Sequence, residues 1–161
     1  MKLKLALVAT VCTAFTALNM NGPEDVKTHR LSHPVRPIET IQPKVDHTEL
    51  VNALIQVESN GNTNAIGDNG AAVGVLQIQP IMIREVNRIL KLKKSDKRFK
   101  RKDRFDREKS IEIFTIWAEF HHKDSDYETI ARNWNGGPDG FEQACTEKYW
   151  KKVQIELNGN W

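Results

Sequence analysis

Glu58-Ser59-Asn60-Gly61 puts a carboxylate where a helix should end. Upstream, from His47 to Glu58, Leu50, Leu54 and Val57 recur at helical spacing, with Val51 and Ile55 beside them. Gly61 then supplies a stop signal. Residues 60–74 are rich in Asn, Gly and Asp, which suits turns and a short hairpin and excludes a continuing helix. Two further blocks follow in order. One is Gly74-Val75-Leu76-Gln77-Ile78-Gln79-Pro80, and the other is Ala131-Arg132-Asn133-Trp134-Asn135-Gly136-Gly137-Pro138.

The helical pattern resumes after each block. Pro80 suits the first turn of a helix carrying Ile83, Val86 and Leu90. Asp106 is the expected cap of a helix in which Ile111, Phe114, Ala118 and His121 form one stripe beside Ile113, Trp117 and Phe120. Ser125 and Glu128 have capping-box spacing ahead of Tyr127, Ile130, Ala131 and Trp134. Thr146 is the expected cap of a last helix through Tyr149, Trp150, Val153 and Leu157.

The chain has 161 residues, which suits one domain. Residues 1–20 read as a signal peptide, with Lys2 and Lys4 ahead of a weakly apolar run from Leu5 to Leu18; an uncleaved anchor is the alternative. Residues 21–46 hold Pro23, Pro34, Pro37 and Pro43 and read as an extended linker. The folded domain is then 47–161. Removing the leader removes Cys12 and leaves Cys145 without a partner, so the mature fold relies on its core. Cys145 itself reads as a small buried hydrophobe.

The net charge of +3 hides an uneven distribution. Residues 91–109 hold eleven Lys/Arg and four Asp/Glu. The basic character is therefore local. That run reads as a solvated loop, as a surface that attracts anionic polymers, or as a nucleic-acid contact in which Phe99 and Phe105 could stack. His121-His122 lacks metal-ligand spacing, and no phosphate-loop or dinucleotide fingerprint occurs. The sequence implies no metal and no cofactor.

The three blocks suggest acid chemistry. A carboxyl at a helix C-terminus sits in the negative end of the dipole, and an apolar wall adds a desolvation penalty, so Glu58 should hold its proton unusually well; a solvated glutamate beside a helix stop is its other reading. Glycoside cleavage needs such a group to protonate the leaving oxygen. Asp68, in the turn Gly67-Asp68-Asn69-Gly70, is the second candidate carboxyl, and an ordinary turn former is its other reading. A retaining hydrolase needs a pair about 5–5.5 Å apart and an inverting one a pair about 6.5–9.5 Å apart. Gly74 lets the backbone approach a ligand or the Glu58 helix. Gln77 offers an amide to a sugar, and Gln79 would face elsewhere in an extended segment. Trp134 offers a flat face, Asn135 an amide and Gly136 a free backbone at a helix end; Trp134 also fits as a core residue at a helix cap.

Glu58-Ser59, Gly74-Val75-Leu76-Gln77 and Trp134-Asn135-Gly136-Gly137-Pro138 resemble the three blocks of the transglycosylase SLT family. Ala131 to Pro138, with Thr146, Tyr149-Trp150 and Val153, is also similar to invertebrate-type lysozymes, as is Gly74-Val75-Leu76-Gln77-Ile78. The resemblance covers about residues 50–155. It implies a lysozyme-like α+β fold, mostly α, with a helical body and a turn-rich hairpin after the Glu58 helix. It also implies action on peptidoglycan outside the cytoplasm, secreted or periplasmic, at the bond between N-acetylmuramic acid and N-acetylglucosamine. Glu58 would be the general acid. Asp68 falls near the second carboxylate of the lysozymes, whereas the transglycosylases need none. Gln77, Trp134, Asn135 and Gly136 would position the glycan. Two departures stand out: the disulfides of invertebrate-type lysozymes are missing, and Val75-Leu76 replaces the Leu-Met usual in transglycosylases. A glycan-binding module without turnover and a basic nucleic-acid binder are the alternative functions.

Overall fold

The computed structural model describes residues 46–159. The leader and the linker, apart from Asp46, lie outside these residues, as do the last two positions. The described part has five α-helices and one two-stranded sheet. It is a mostly helical α+β fold, as the block pattern implies.

Helix α1 (Thr48–Ser59) ends at Asn60 in the left-handed conformation, with the Asn60 N–H on the Gln56 carbonyl. Gly61 also has positive φ, so the stop is shared by two residues. Strands β1 (Ile66–Gly67) and β2 (Ala72–Val73) pair antiparallel, Ile66 with Val73 and Gly67 with Ala72. A tight turn over Asp68–Gly70 joins them, and both Asp68 and Asn69 have positive φ. Short polar side chains tolerate that region best after glycine. Helix α2 (Pro80–Leu92) starts with Pro80 in its first turn. Helix α3 (Arg107–His121) is capped by Asp106, whose side chain accepts from the Lys109 N–H.

Helix α4 (Tyr127–Gly136) starts one residue later than the capping-box spacing suggests. Asp126 is its cap and accepts from the Thr129 N–H at 2.8 Å. A carboxylate accepts that bond more strongly than the Ser125 hydroxyl would. Helix α5 (Glu147–Asn158) does begin after Thr146. The Thr146 hydroxyl does not cap it. It receives the Arg132 Nε–H at 2.9 Å and lies 2.7 Å from the carbonyls of Gly140 and Gln143.

The core joins Leu50, Leu54 and Ile55 of α1 to Val75, Leu76 and Ile78, to Ile113 and Phe114 of α3, Ile130 of α4 and Val153 of α5. Each such side chain, once buried, contributes roughly 1.5–3 kcal/mol. Helix α1 packs on α5 and α4, and α2 packs on α3. Cys145 is exposed and free, contrary to its reading as a buried hydrophobe. It lies in a short 3-10 turn of which only Thr146 is buried.

The basic stretch is partly absorbed into the fold. Phe99 is buried, and its N–H and C=O both bond the Asn87 side chain, so its ring is not available for stacking. Arg104 is buried as well. Its Nη1 donates to the carbonyls of Ala71 and Ile78, each at 2.8 Å. Gly74 passes so close to this strut that a Cβ there would lie 1.8 Å from the Arg104 carbonyl oxygen.

Candidate active site

A cleft of about 940 Å³ runs along the domain, lined by Glu58, Asp68 and Gln77 together with Trp134, Asn135, Gly137 and Pro138. Sequence-distant blocks thus meet at one site. Glu58 stands one residue before the end of α1, half-buried. Its neighbour Ser59 donates to the Val75 carbonyl at 2.9 Å, which ties the helix end to the glutamine loop.

Burial pushes the Glu58 carboxyl up to about 7 from 4.5. The Tyr149 hydroxyl, donating to Oε1 at 2.7 Å, works in the opposite direction, and the nearby Asp68 charge adds a smaller upward push. Desolvation wins, so a large fraction of Glu58 stays protonated near neutrality. Tyr149 itself is held well above its usual range by burial and by Glu58, and so remains a donor. It sits on α5, which packs on α1.

Asp68 is exposed and accepts from Gln79 Nε2 at 3.0 Å. Gln79 therefore lines the same cleft as Gln77, not another face. The period-two alternation fails because residues 74–77 form a turn in which Gln77 has φ 46°. Gln77 Nε2 donates back to the Gly74 carbonyl.

Trp134 is both core and cleft. Its ring meets Phe114 at 5.1 Å and Trp117 at 5.2 Å, edge-on in both cases, and the half-exposed remainder faces the cleft. Asn135 is exposed at the cleft. Gly136 is not among the lining residues. It faces Thr146, where a Cβ would come within 2.7 Å of Cγ2, and its carbonyl accepts from Gln143. The backbone at the cleft is that of Gly137 and Pro138. Asn133 sets this loop, since its Oδ1 accepts from the Phe141 N–H at 2.7 Å.

Several lining residues have no signal in the three blocks. Trp117, His121 and His122 come from the end of α3, and Ile81, Arg84, Glu85 and Arg88 from α2. The aromatic and histidine stripe of α3 was visible, but not that its end reaches the cleft. Tyr149 lies 91 residues from Glu58; the sequence puts it on the last helix, but nothing local marks it as a partner of Glu58. Among the described residues no cluster of His, Cys, Asp and Glu could hold a metal ion.

A helical body with a half-buried carboxyl in the last turn of α1, beside a small hairpin, is the lysozyme-like arrangement. The chain belongs to the Transglycosylase SLT domain family, whose model matches residues 38–155. No curated protein matches it. In fold it is similar to a chain of the crystal structure of Aeromonas hydrophila PliI in complex with Meretrix lusoria lysozyme. The TM-score is 0.55 at 20% identity, covering 70% of this chain and 90% of that one.

Proposed function

We propose that this protein is an exported peptidoglycan glycosidase that cuts the β-1,4 bond between N-acetylmuramic acid and N-acetylglucosamine by lytic transglycosylation. The observation that carries this is a carboxyl raised to about 7 inside a cleft of about 940 Å³, in a chain of the SLT family. Tyr149 occupies Oε1 of Glu58, which leaves Oε2 to carry the proton. Glu58 gives that proton to the glycosidic oxygen as the bond to C1 breaks. The resulting carboxylate then takes the proton of the muramic 6-hydroxyl, whose oxygen closes on C1. The product is a 1,6-anhydro sugar, and Glu58 is protonated again. Trp134 offers its exposed edge, and Gln77, Asn135 and the Gly137 backbone offer polar contacts to the strand.

A hydrolytic route is the second reading, favoured by Asp68 lying in the same cleft and within electrostatic reach of Glu58. There Asp68 stabilises or traps the sugar cation and water completes the cut. Mass analysis of the released muropeptides decides between them. Anhydro products weigh one water less than hydrolysis products, and we expect the anhydro series.

The exposed cations at Lys91, Lys93, Lys94, Arg98, Lys100, Arg101, Lys102 and Arg107 have no carboxylate at ion-pair distance among the described residues. They would draw the enzyme toward anionic cell-wall polymers. Among the described residues no helix is long and apolar enough to cross a membrane.

A further inference from the structure

Helix α2 turns its core face inward through Ile83, Val86, Ile89 and Leu90. Its opposite ridge, Ile81, Arg84, Glu85 and Arg88, follows the spacing of one helical face and lines the cleft that holds Glu58. The charges on this ridge are unequally used. Glu85 accepts from Arg88 Nε and Nη2 at 2.8 and 2.6 Å, and it contacts His121 Nε2 at 2.7 Å. Arg88 also lies over the Phe120 ring, 5.6 Å from its centre. Glu85 is therefore saturated by its own neighbours. Arg84 is exposed in the cleft and has no carboxylate at ion-pair distance among the described residues.

A strand stripped of its peptides offers a guanidinium only the lactyl carboxylate of each muramic acid, held close to the sugar ring. In intact peptidoglycan that group is an amide, and the short peptide it carries extends free carboxylates farther from the ring. A guanidinium binds a carboxylate through two parallel N–H donors, which gives both affinity and direction. Ile81 is 57% exposed beside Arg84, and Met82 is half-buried in the same wall, so an apolar surface for alanyl methyl groups adjoins the charge.

We propose that Arg84, with Ile81 and the Glu85-anchored Arg88, forms a carboxylate-binding subsite for the acidic peptide stem of peptidoglycan. The subsite makes the enzyme prefer peptide-bearing strands over bare ones. This rests on the glycosidase reading above and names the part of the substrate that the α2 wall takes.

The test compares kcat/KM on peptide-bearing glycan strands with kcat/KM on the same strands stripped by an amidase. Wild-type protein should favour the peptide-bearing strands by about tenfold or more, the discrimination expected of one charge-assisted pair. Arg84→Ala should lose at least about tenfold more on peptide-bearing than on stripped strands, and Arg84→Lys should recover only part of that difference. Equal losses on both substrates, or no loss on either, would overturn the subsite. Calorimetry with the free stem tetrapeptide on the Glu58→Gln protein reads the subsite without turnover. Binding that Arg84→Ala abolishes supports it, and no binding to the Glu58→Gln protein overturns it. A Glu58→Gln protein that still cleaves both strands would instead remove Glu58 as the acid, and wild-type protein that cleaves neither strand would remove the glycosidase reading; the peptide titration would stand apart from either failure.

Discussion

Tyr149 on the last helix donates its hydroxyl to Oε1 of Glu58 on the first, at 2.7 Å and across 91 residues of sequence. The bond fixes the carboxyl's orientation and opposes the rise in its proton affinity caused by burial. Tyr149→Phe keeps the ring and removes only the donor. The Glu58 proton should then be held more tightly, so the alkaline limb of the pH–rate profile should move to higher pH. The rate at the optimum should fall by about tenfold, because the loss of one orienting hydrogen bond acts on that scale. A limb that stays in place while the rate falls would mean that Tyr149 only packs.

Glu58→Gln should abolish clearing of purified peptidoglycan while the fold persists by circular dichroism. It should also change how stability depends on pH. The folded carboxyl titrates near 7 and the unfolded one near 4.5, so between those values the native state binds more protons than the unfolded state. Wild-type stability should therefore be full below about pH 4.5 and fall as pH rises to about 7. The full shift corresponds to an upper bound of about 3 kcal/mol. Urea denaturation at pH 4.5 and pH 8 should show this loss in the wild type and not in Glu58→Gln. Equal loss in both proteins would place the pH dependence on other groups.

Asp68→Asn separates an electrostatic role from a chemical one. Asp68 is exposed, holds Gln79 and pushes the Glu58 carboxyl upward. On the transglycosylase route its loss should leave clearing within about threefold, since no second carboxylate takes part. The alkaline limb should move to lower pH, because a negative neighbour has gone. A loss of more than about a hundredfold, with products that are not anhydro, would assign Asp68 to the sugar cation and favour the hydrolytic route.

The sequence showed what local physics controls. The αL stop at Asn60-Gly61, the Pro80 start and the Asp106 cap follow from short-range chemistry, and each falls where the residues put it. Glu58, Asp68, Gln77, Trp134 and Asn135 share a cleft because the blocks carrying them sit at helix ends and tight turns. What sequence could not show depends on contacts between distant elements. Tyr149 reaches Glu58 only because α5 packs on α1. The Gln79 side chain turns into the cleft because Gln77 leaves extended geometry, which no alternation pattern signals. Gly136 resembled a glycan contact, but its space is taken by Thr146. Arg104 looked like one cation among eleven in a charge run, yet it is the one buried against the hairpin.

That burial leads to a stability prediction. Arg104 Nη1 satisfies the carbonyls of Ala71 and Ile78, and its own carbonyl accepts from the Ser110 hydroxyl. Arg104→Met keeps much of the side-chain volume, removes the side-chain donor of the Ala71 carbonyl and leaves the Ile78 carbonyl with only the Val73 N–H at 3.3 Å. An unpaired buried group costs about 1–3 kcal/mol, so the loss should be on that order. Gly74→Ala should be at least as damaging, because φ is 77° there and the new Cβ would meet the Arg104 carbonyl oxygen. Urea denaturation measures both. Because Ser59 ties the Glu58 helix to the Val75 carbonyl of this same loop, each variant should also lose clearing activity below its own melting temperature. Full activity in a destabilised Arg104→Met protein would mean that the hairpin and the acid are held independently, and that the strut serves the fold alone.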